Sequence, residues 1–155
     1  FHRLYGMKTT ILRYFHVYGS RQESNEFGGV VSIFARNILE RKPLFVNGDG
    51  GQVRSFTYVK DLINANLAAG LENKAIGQVY NVASGIQVTI NELAENIRRM
   101  MRSNVPILHN DPLIGDIRYF DVSNRKVVEE LGVVFAADFW ATLESSLNDL
   151  VGSIG

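Results

Sequence analysis

The runs L-R-Y-F-H-V-Y-G, Leu12 to Gly19, and N-G-D-G-G-Q-V-R-S-F-T-Y-V-K-D, Asn47 to Asp61, decide how this chain is read. In the first, a strand from Lys8 to Phe15 stops at His16, so that Arg13 to His16 hand their side chains from a strand end to a loop. In a parallel α/β sheet such strand ends are where ligands bind. In the second, a glycine-rich turn, Gly48 to Gly51, joins two short strands, Leu44–Asn47 and Val53–Tyr58, and Arg54 lies on the strand leaving the turn. A guanidinium in that place can aim a planar fork at phosphate oxygens, as diphosphate recognition requires.

Outward from these runs the elements alternate. A Gly/Ser/Asn loop, Gly19–Gly29, leads into a helix from Val30 to Arg41 with Val30, Phe34 and Ile38 on one face, ended by Lys42-Pro43. Lys60–Leu71 reads as a helix with Leu62, Ala65 and Ala69 inward, and Gln78–Val82 as a strand. Thr89-Ile90-Asn91-Glu92 is a capping box opening a helix whose Leu93, Ile97, Met100 and Met101 form a stripe. A loop at Pro112–Asp116 follows, then a helix at Ser123–Leu131 stopped by Gly132. The last helix runs from Asp138 with Phe139, Leu143, Leu147 and Leu150 spaced for burial. The pattern is mixed α/β.

The chain has 155 residues with 46% hydrophobic content, enough for one domain with its own core, spanning 1–155. Lys plus Arg equal Asp plus Glu at 16 each, so no global field draws the protein to nucleic acid or to an anionic membrane. Any anion site must be local. Cysteine is absent, which excludes disulfides and thiolate metal sites and is compatible with a reducing cytoplasm. No apolar run approaches the ~18–20 residues of a membrane span. Phe1 to Tyr5 before Gly6 reads as the last turn of a helix that has lost its beginning, and neither an initiator Met nor a signal-like leader is present. The chain is therefore expected to be part of a longer protein.

Negative searches narrow the chemistry. No glycine triplet has G-x-G-x-x-G spacing, no tyrosine has a lysine four residues on, and no nucleophile elbow occurs. His2, His16 and His109 are too scattered to suggest a metal site. No catalytic residue and no metal ligand is assigned within this chain.

The two runs together resemble linked signatures of the extended short-chain dehydrogenase/reductases, the NAD-dependent epimerases and dehydratases that act on nucleotide sugars, of the UDP-glucose 4-epimerase kind. Gly77-Gln78-Val79-Tyr80-Asn81-Val82 with Gly85 resembles a further segment of that family, and Leu4 to Val151 can be laid along its C-terminal half in order. The resemblance implies a fold made of the last strands of a Rossmann-type sheet plus a small mixed α/β substrate domain. It also implies that the dinucleotide-binding half and the Tyr/Lys catalytic pair lie upstream, so that NAD is held mainly there and this chain alone is inactive.

Residue by residue, the resemblance implies that Phe15 lies against the nicotinamide and that His16, where the family has Asn, binds the sugar nucleotide. Asn47, where the family has an aromatic, would lie near the base, and Arg54 would grip the diphosphate. Asp116 would meet the ribose hydroxyls, and Gly29, Val30, Phe45 and Val46 would complete the substrate contacts. Leu113 stands where the family has a phosphate-binding Arg, so another cation such as Arg118 has taken over or affinity is lower. The partner implied is a nucleotide-diphosphate sugar, with no nucleic acid and no membrane, and the full-length protein a homodimer in the cytoplasm. Epimerase, dehydratase, decarboxylase and reductase remain open. A non-catalytic nucleotide-sugar-binding or scaffold relative is the alternative, whereas RNA binding gains nothing from zero net charge.

Overall fold

A computed structural model describes residues 1–22 and 28–152; residues 23–27, within the Gly19–Gly29 loop read from the sequence, lie outside it. The chain runs α1 (His2–Tyr5), β1 (Ile11–Tyr14), β2 (Val17–Tyr18), α2 (Val30–Leu39), β3 (Leu44–Asn47), β4 (Val53–Ser55), β5 (Thr57–Tyr58) and α3 (Val59–Leu71). A 3₁₀ turn at Asn73–Ala75 leads to β6 (Val79–Val82), β7 (Gln87–Thr89), α4 (Ile90–Met100), β8 (Ile107–Asn110), α5 (Arg125–Leu131) and α6 (Phe139–Gly152). Among the described residues the strands pair in twos. Three pairs are parallel, β1 with β6, β2 with β5 and β3 with β8, and β4 with β7 is antiparallel. The mixed α/β reading holds.

Two cores follow from this pairing. The smaller is built on β6, whose Tyr80 and Val82 point to one face and meet Ala65 and Ala69 of α3 and Val127 and Leu131 of α5. Alanines on α3 let the helix come close to the sheet, and both are buried. The larger core sits where α2, α4 and α6 pack on β3, joining Phe34 and Ile38, Leu93 and Ile97, and Leu143 and Leu147 around Leu44 and Val46. Phe56 enters this second core and stacks on Phe139 at a ring separation of 5.7 Å. That burial divides the single strand expected over Val53–Tyr58. The part before Phe56 pairs with β7 and the part after it with β2.

The helix ends show which local signals the chain obeys. Thr89 Oγ1 accepts the Glu92 N–H at 3.1 Å while the Glu92 carboxylate accepts the Thr89 N–H at 2.9 Å, so the capping box forms as read. Gly6 and Gly132 close α1 and α5 in left-handed conformation, both at φ 66. At α6, the Asp138 carboxylate accepts the Ala141 N–H at 3.0 Å. The ends of α2 and α4 are different. Lys42 N–H donates to Asn37 O at 2.7 Å and Arg41 N–H to Ile38 O at 3.0 Å; Ser103 and Arg102 repeat both bonds to Arg98 and Arg99. Each is a Schellman motif with arginine at the left-handed position, φ 56 at Arg41 and φ 50 at Arg102, so α2 stops at Leu39 rather than reaching Arg41.

A side chain at that position crowds the following carbonyl, at about 1–2 kcal/mol per residue, while glycine gives back about 0.4–1 kcal/mol through the freedom of the unfolded chain. Arg41→Gly and Arg102→Gly are each expected to stabilise the fold by about 0.5–1 kcal/mol, read as a higher urea midpoint at unchanged slope. A lower midpoint for both variants would show that the arginine side chains contribute more than the strain they bring.

Candidate functional site

Arg54 organises the candidate site. It follows Val53 on β4, and its side chain turns back so that Nη1 donates to its neighbour's carbonyl, Val53 O, at 2.8 Å and to Ile117 O at 2.5 Å. Nη2 donates to Asp116 Oδ1 at 2.5 Å, in a pair whose side chains are 12% and 29% exposed. The Val53 N–H donates in turn to Arg118 O at 2.9 Å, and Val53 forms a parallel bridge with Tyr119. Residues far apart in sequence thus meet, because Arg54 can satisfy three acceptors from one planar group.

Gln52 extends the network. Its Nε2 donates to Asn47 O at 2.9 Å and reaches Asp116 Oδ2 at 3.4 Å, linking the end of β3 to the carboxylate that Arg54 holds. Alternation along the strand places Gln52 and Arg54 on one side, and that register is the sequence signal for Gln52. Asn47, Gly48, Asp49, Gln52, Asn110, Pro112, Leu113, Asp116 and Arg118 surround a cleft of about 490 Å³, within the ~300–1,000 Å³ usual for ligand sites. A hollow of about 1160 Å³ lies elsewhere, between the C-terminal ends of α2 and α4 and the side of α6. It is larger, but the hydrogen-bond network that joins Arg54, Asp116 and Gln52 borders the smaller cleft.

The strand end meets the same segment from its other side. Phe120 packs on Phe15 at 5.6 Å and edge-on to His16 at 6.1 Å, while Phe56 holds the His16 ring at 5.6 Å. His16 has φ 39, a left-handed backbone in which Asn, Asp and His are enriched. Its ring is only partly covered, and its pKa lies below the ordinary 6.5. Desolvation by the packed rings is the main cause and the Arg54 charge the second, with a hydrogen bond to the Ser55 backbone opposing them. His16 is therefore neutral at physiological pH and offers one donor and one acceptor.

The remaining expected residues sit as follows. Phe45 is exposed on β3 beside Leu108, on the side of the strand that carries Asn47. Val46 is buried in the core, so only its backbone can face a ligand. Gly29 is the residue before α2, with Val30 its first residue, and the Gln22 amide lies so close that a Cβ on Gly29 would come within 2.6 Å of it. The network around Arg54 and Asp116 does not include these two. Sequence reasoning assigned no role to Gln52, Asp49 or Phe120.

A sequence profile of the NAD dependent epimerase/dehydratase family matches residues 1–83, more than half of the 155. The chain belongs to that family. Among its family relatives, the UDP-N-acetyl-alpha-D-glucosaminuronate decarboxylase of Bacillus cytotoxicus is 39% identical over 106 residues, covering 68% of this chain and 33% of that protein. The UDP-glucose 4-epimerase of Mycolicibacterium smegmatis is 29% identical over 132 residues, 85% of this chain and 42% of that protein. Among solved family structures, the UDP-glucose 4-epimerase of Thermotoga maritima with UDP-glucose superposes at a TM-score of 0.92 and 30% identity, over 99% of this chain and 49% of that one. The UDP-glucuronic acid 4-epimerase of Bacillus cereus, in complex with UDP-glucuronic acid and NAD, gives 0.87 and 26%, over 98% of this chain and 48% of that one. The chain spans a third to two-fifths of these two relatives and about half of these solved chains. The epimerase-type fold expected from the two runs is the fold observed.

Because the folded state lowers the His16 pKa, the unfolded chain takes up the proton first as pH falls. The stability that neutral His16 contributes is complete above about pH 6.5 and is lost as pH falls through the lower folded value. His16→Asn keeps a residue suited to the left-handed backbone and removes the titration. It is expected to flatten the loss of stability between about pH 7 and 5, and proton NMR of the parent should place the His16 midpoint below 6.5. A midpoint at or above that value would contradict the packing described for the ring.

Proposed function

We propose that this chain is the nucleotide-sugar-binding part of an NAD-dependent epimerase or dehydratase of UDP-sugars, with residues 1–155 acting as one substrate-binding domain. The observation that carries the reading is the Arg54–Asp116 pair at the border of a cleft that Asn47 and Gln52 also line. Arg54 keeps its Nε–H and one Nη2–H without a partner among the described residues, a fork free for diphosphate oxygens. Asp116, held by Arg54, accepts from the ribose hydroxyls, and Asn47 and Phe45 lie toward the base. His16 donates to the sugar, and the backbone of Gly29, Val30 and Val46 completes the lining. In this arrangement the domain contributes position: it holds the diphosphate so that the sugar ring is fixed where the reaction takes place.

The chain does not fit a dinucleotide by itself. It has no glycine triplet with the G-x-G-x-x-G spacing that cradles a dinucleotide pyrophosphate, and the ring it offers, Phe15, is packed on Phe120. NAD is accordingly assigned to the part of the family's length that this chain does not span, with Phe15 as the contact toward the nicotinamide. The hydride chemistry belongs to that cofactor. A homodimer in the cytoplasm is the setting proposed for the whole protein; no helix among the described residues is long and apolar enough to cross a membrane. A non-catalytic relative is not favoured, since the relatives described above carry the names of decarboxylases and epimerases.

Calorimetry separates these statements. The 155-residue chain is expected to bind UDP, to give no heat with NAD, and to leave UDP-glucose unchanged. Conversion by the chain alone would show that the chemistry is contained within it. Arg54→Ala should weaken UDP binding by about 1.5–3 kcal/mol, the worth of hydrogen bonds to a charged group, or roughly 10–150-fold. Arg54→Lys should recover part of the loss, because a point charge replaces the fork. An unchanged affinity in a folded Arg54→Ala variant removes the diphosphate role.

A further inference from the structure

Arg118 crosses the cleft from the segment that Arg54 holds. Its Nη1 donates to Asp49 Oδ1 at 2.8 Å, and the same oxygen accepts the Gly51 N–H at 2.9 Å. A guanidinium and a backbone N–H therefore converge on one oxygen, and the chain fills with its own carboxylate a place that a phosphate oxygen would fit. Gly51 makes room for this, since a Cβ there would lie 2.8 Å from Arg118 Nη2. The bond to Gly51 and then the bond to Arg118 hold the Asp49 carboxyl below its ordinary pKa, so it is an anion throughout the physiological range.

The Arg118–Asp49 pair is open to solvent, at 69% and 61% exposure, and an ion pair so exposed is weak enough for a more highly charged anion to displace. Among the residues lining the cleft, Arg118 is the cation, while Leu113 on the same wall is apolar and 59% exposed. Arg54 is fixed by Asp116 and Ile117 at the border of the cleft. Resting on the nucleotide-diphosphate reading above, we propose that Arg118 supplies the second cation of the cleft, releasing Asp49 to take the outer phosphate of the diphosphate against the Gly51 N–H.

UDP and UMP titrated into the 155-residue chain test this, because they differ by the outer phosphate. Arg118→Ala is expected to weaken UDP binding about tenfold, the worth of a charge-assisted hydrogen bond, and to leave UMP unchanged. Arg54→Ala should weaken both. Leu113→Arg added to Arg118→Ala places a cation on the same wall and should restore most of the preference for UDP. If Arg118→Ala weakens UDP and UMP equally, Arg118 is only a strap between the cleft walls and the proposal fails. The proposal also fails if neither affinity moves, and the nucleotide reading then still stands. Absence of UDP binding by the folded parent chain overturns both.

Discussion

The segment from Pro112 to Asp121 contains no helix and a single strand bridge, so its course depends on what Arg54 holds. Three acceptors, Val53 O, Ile117 O and Asp116 Oδ1, lie around one guanidinium that is largely removed from water. A lysine could not satisfy them together in one plane, and an alanine would leave Asp116 and Ile117 without their partner. Everything beyond the clamp follows its geometry: Phe120 is delivered to the rings of Phe15 and His16, and Arg118 is delivered across Gly51. The clamp therefore sets the order of the segment that walls the cleft.

His16 illustrates how a backbone requirement restricts the chemistry available at a position. The chain turns there through φ 39, which disfavours β-branched and large apolar residues and leaves Asn, Asp and His among the better choices. The aromatic packing of Phe56 and Phe120 then selects a ring over a small amide, and desolvation by that packing, helped by the neighbouring Arg54, favours the neutral form of the ring. His16 thus meets two demands of its place, a left-handed turn and an uncharged ring packed against its neighbours.

Local signals were legible and distant ones were not. Thr89 and Glu92 announce α4, and Gly132 announces the end of α5, because the atoms that satisfy each helix end lie within a few residues. Pro43 announces that α2 ends nearby, but the left-handed Arg41 and Arg102 themselves carry no such signal, since the motif is made by backbone bonds. Strands β7 and β8 are not legible in the sequence for another reason. Ile107-Leu108-His109-Asn110 has two apolar residues and becomes a strand because β3 offers it a parallel edge. In the site, Arg54 was legible from the glycine turn before it. Family resemblance implied separate roles for Arg54 and Asp116, and that one holds the other across 62 residues, like the contacts of Asp49 and Phe120, arises from tertiary packing alone.

Strand β1 has one ladder neighbour among the described residues, and Ile11 and Tyr14 on it are exposed together with Met7 and with Leu4 and Tyr5 of α1. Parallel strands are ordinarily covered on both faces. An open edge of this kind, with apolar side chains beside it, is suited to a further strand of the same sheet, and this chain spans only about half of the solved chains it superposes on. Arg13 is exposed on the face that carries Ile11, where like charges would oppose each other if two such edges paired in register. For the 155-residue chain on its own the consequence is colloidal: like charges at Arg13 oppose edge-to-edge pairing at low ionic strength, and added salt weakens that opposition.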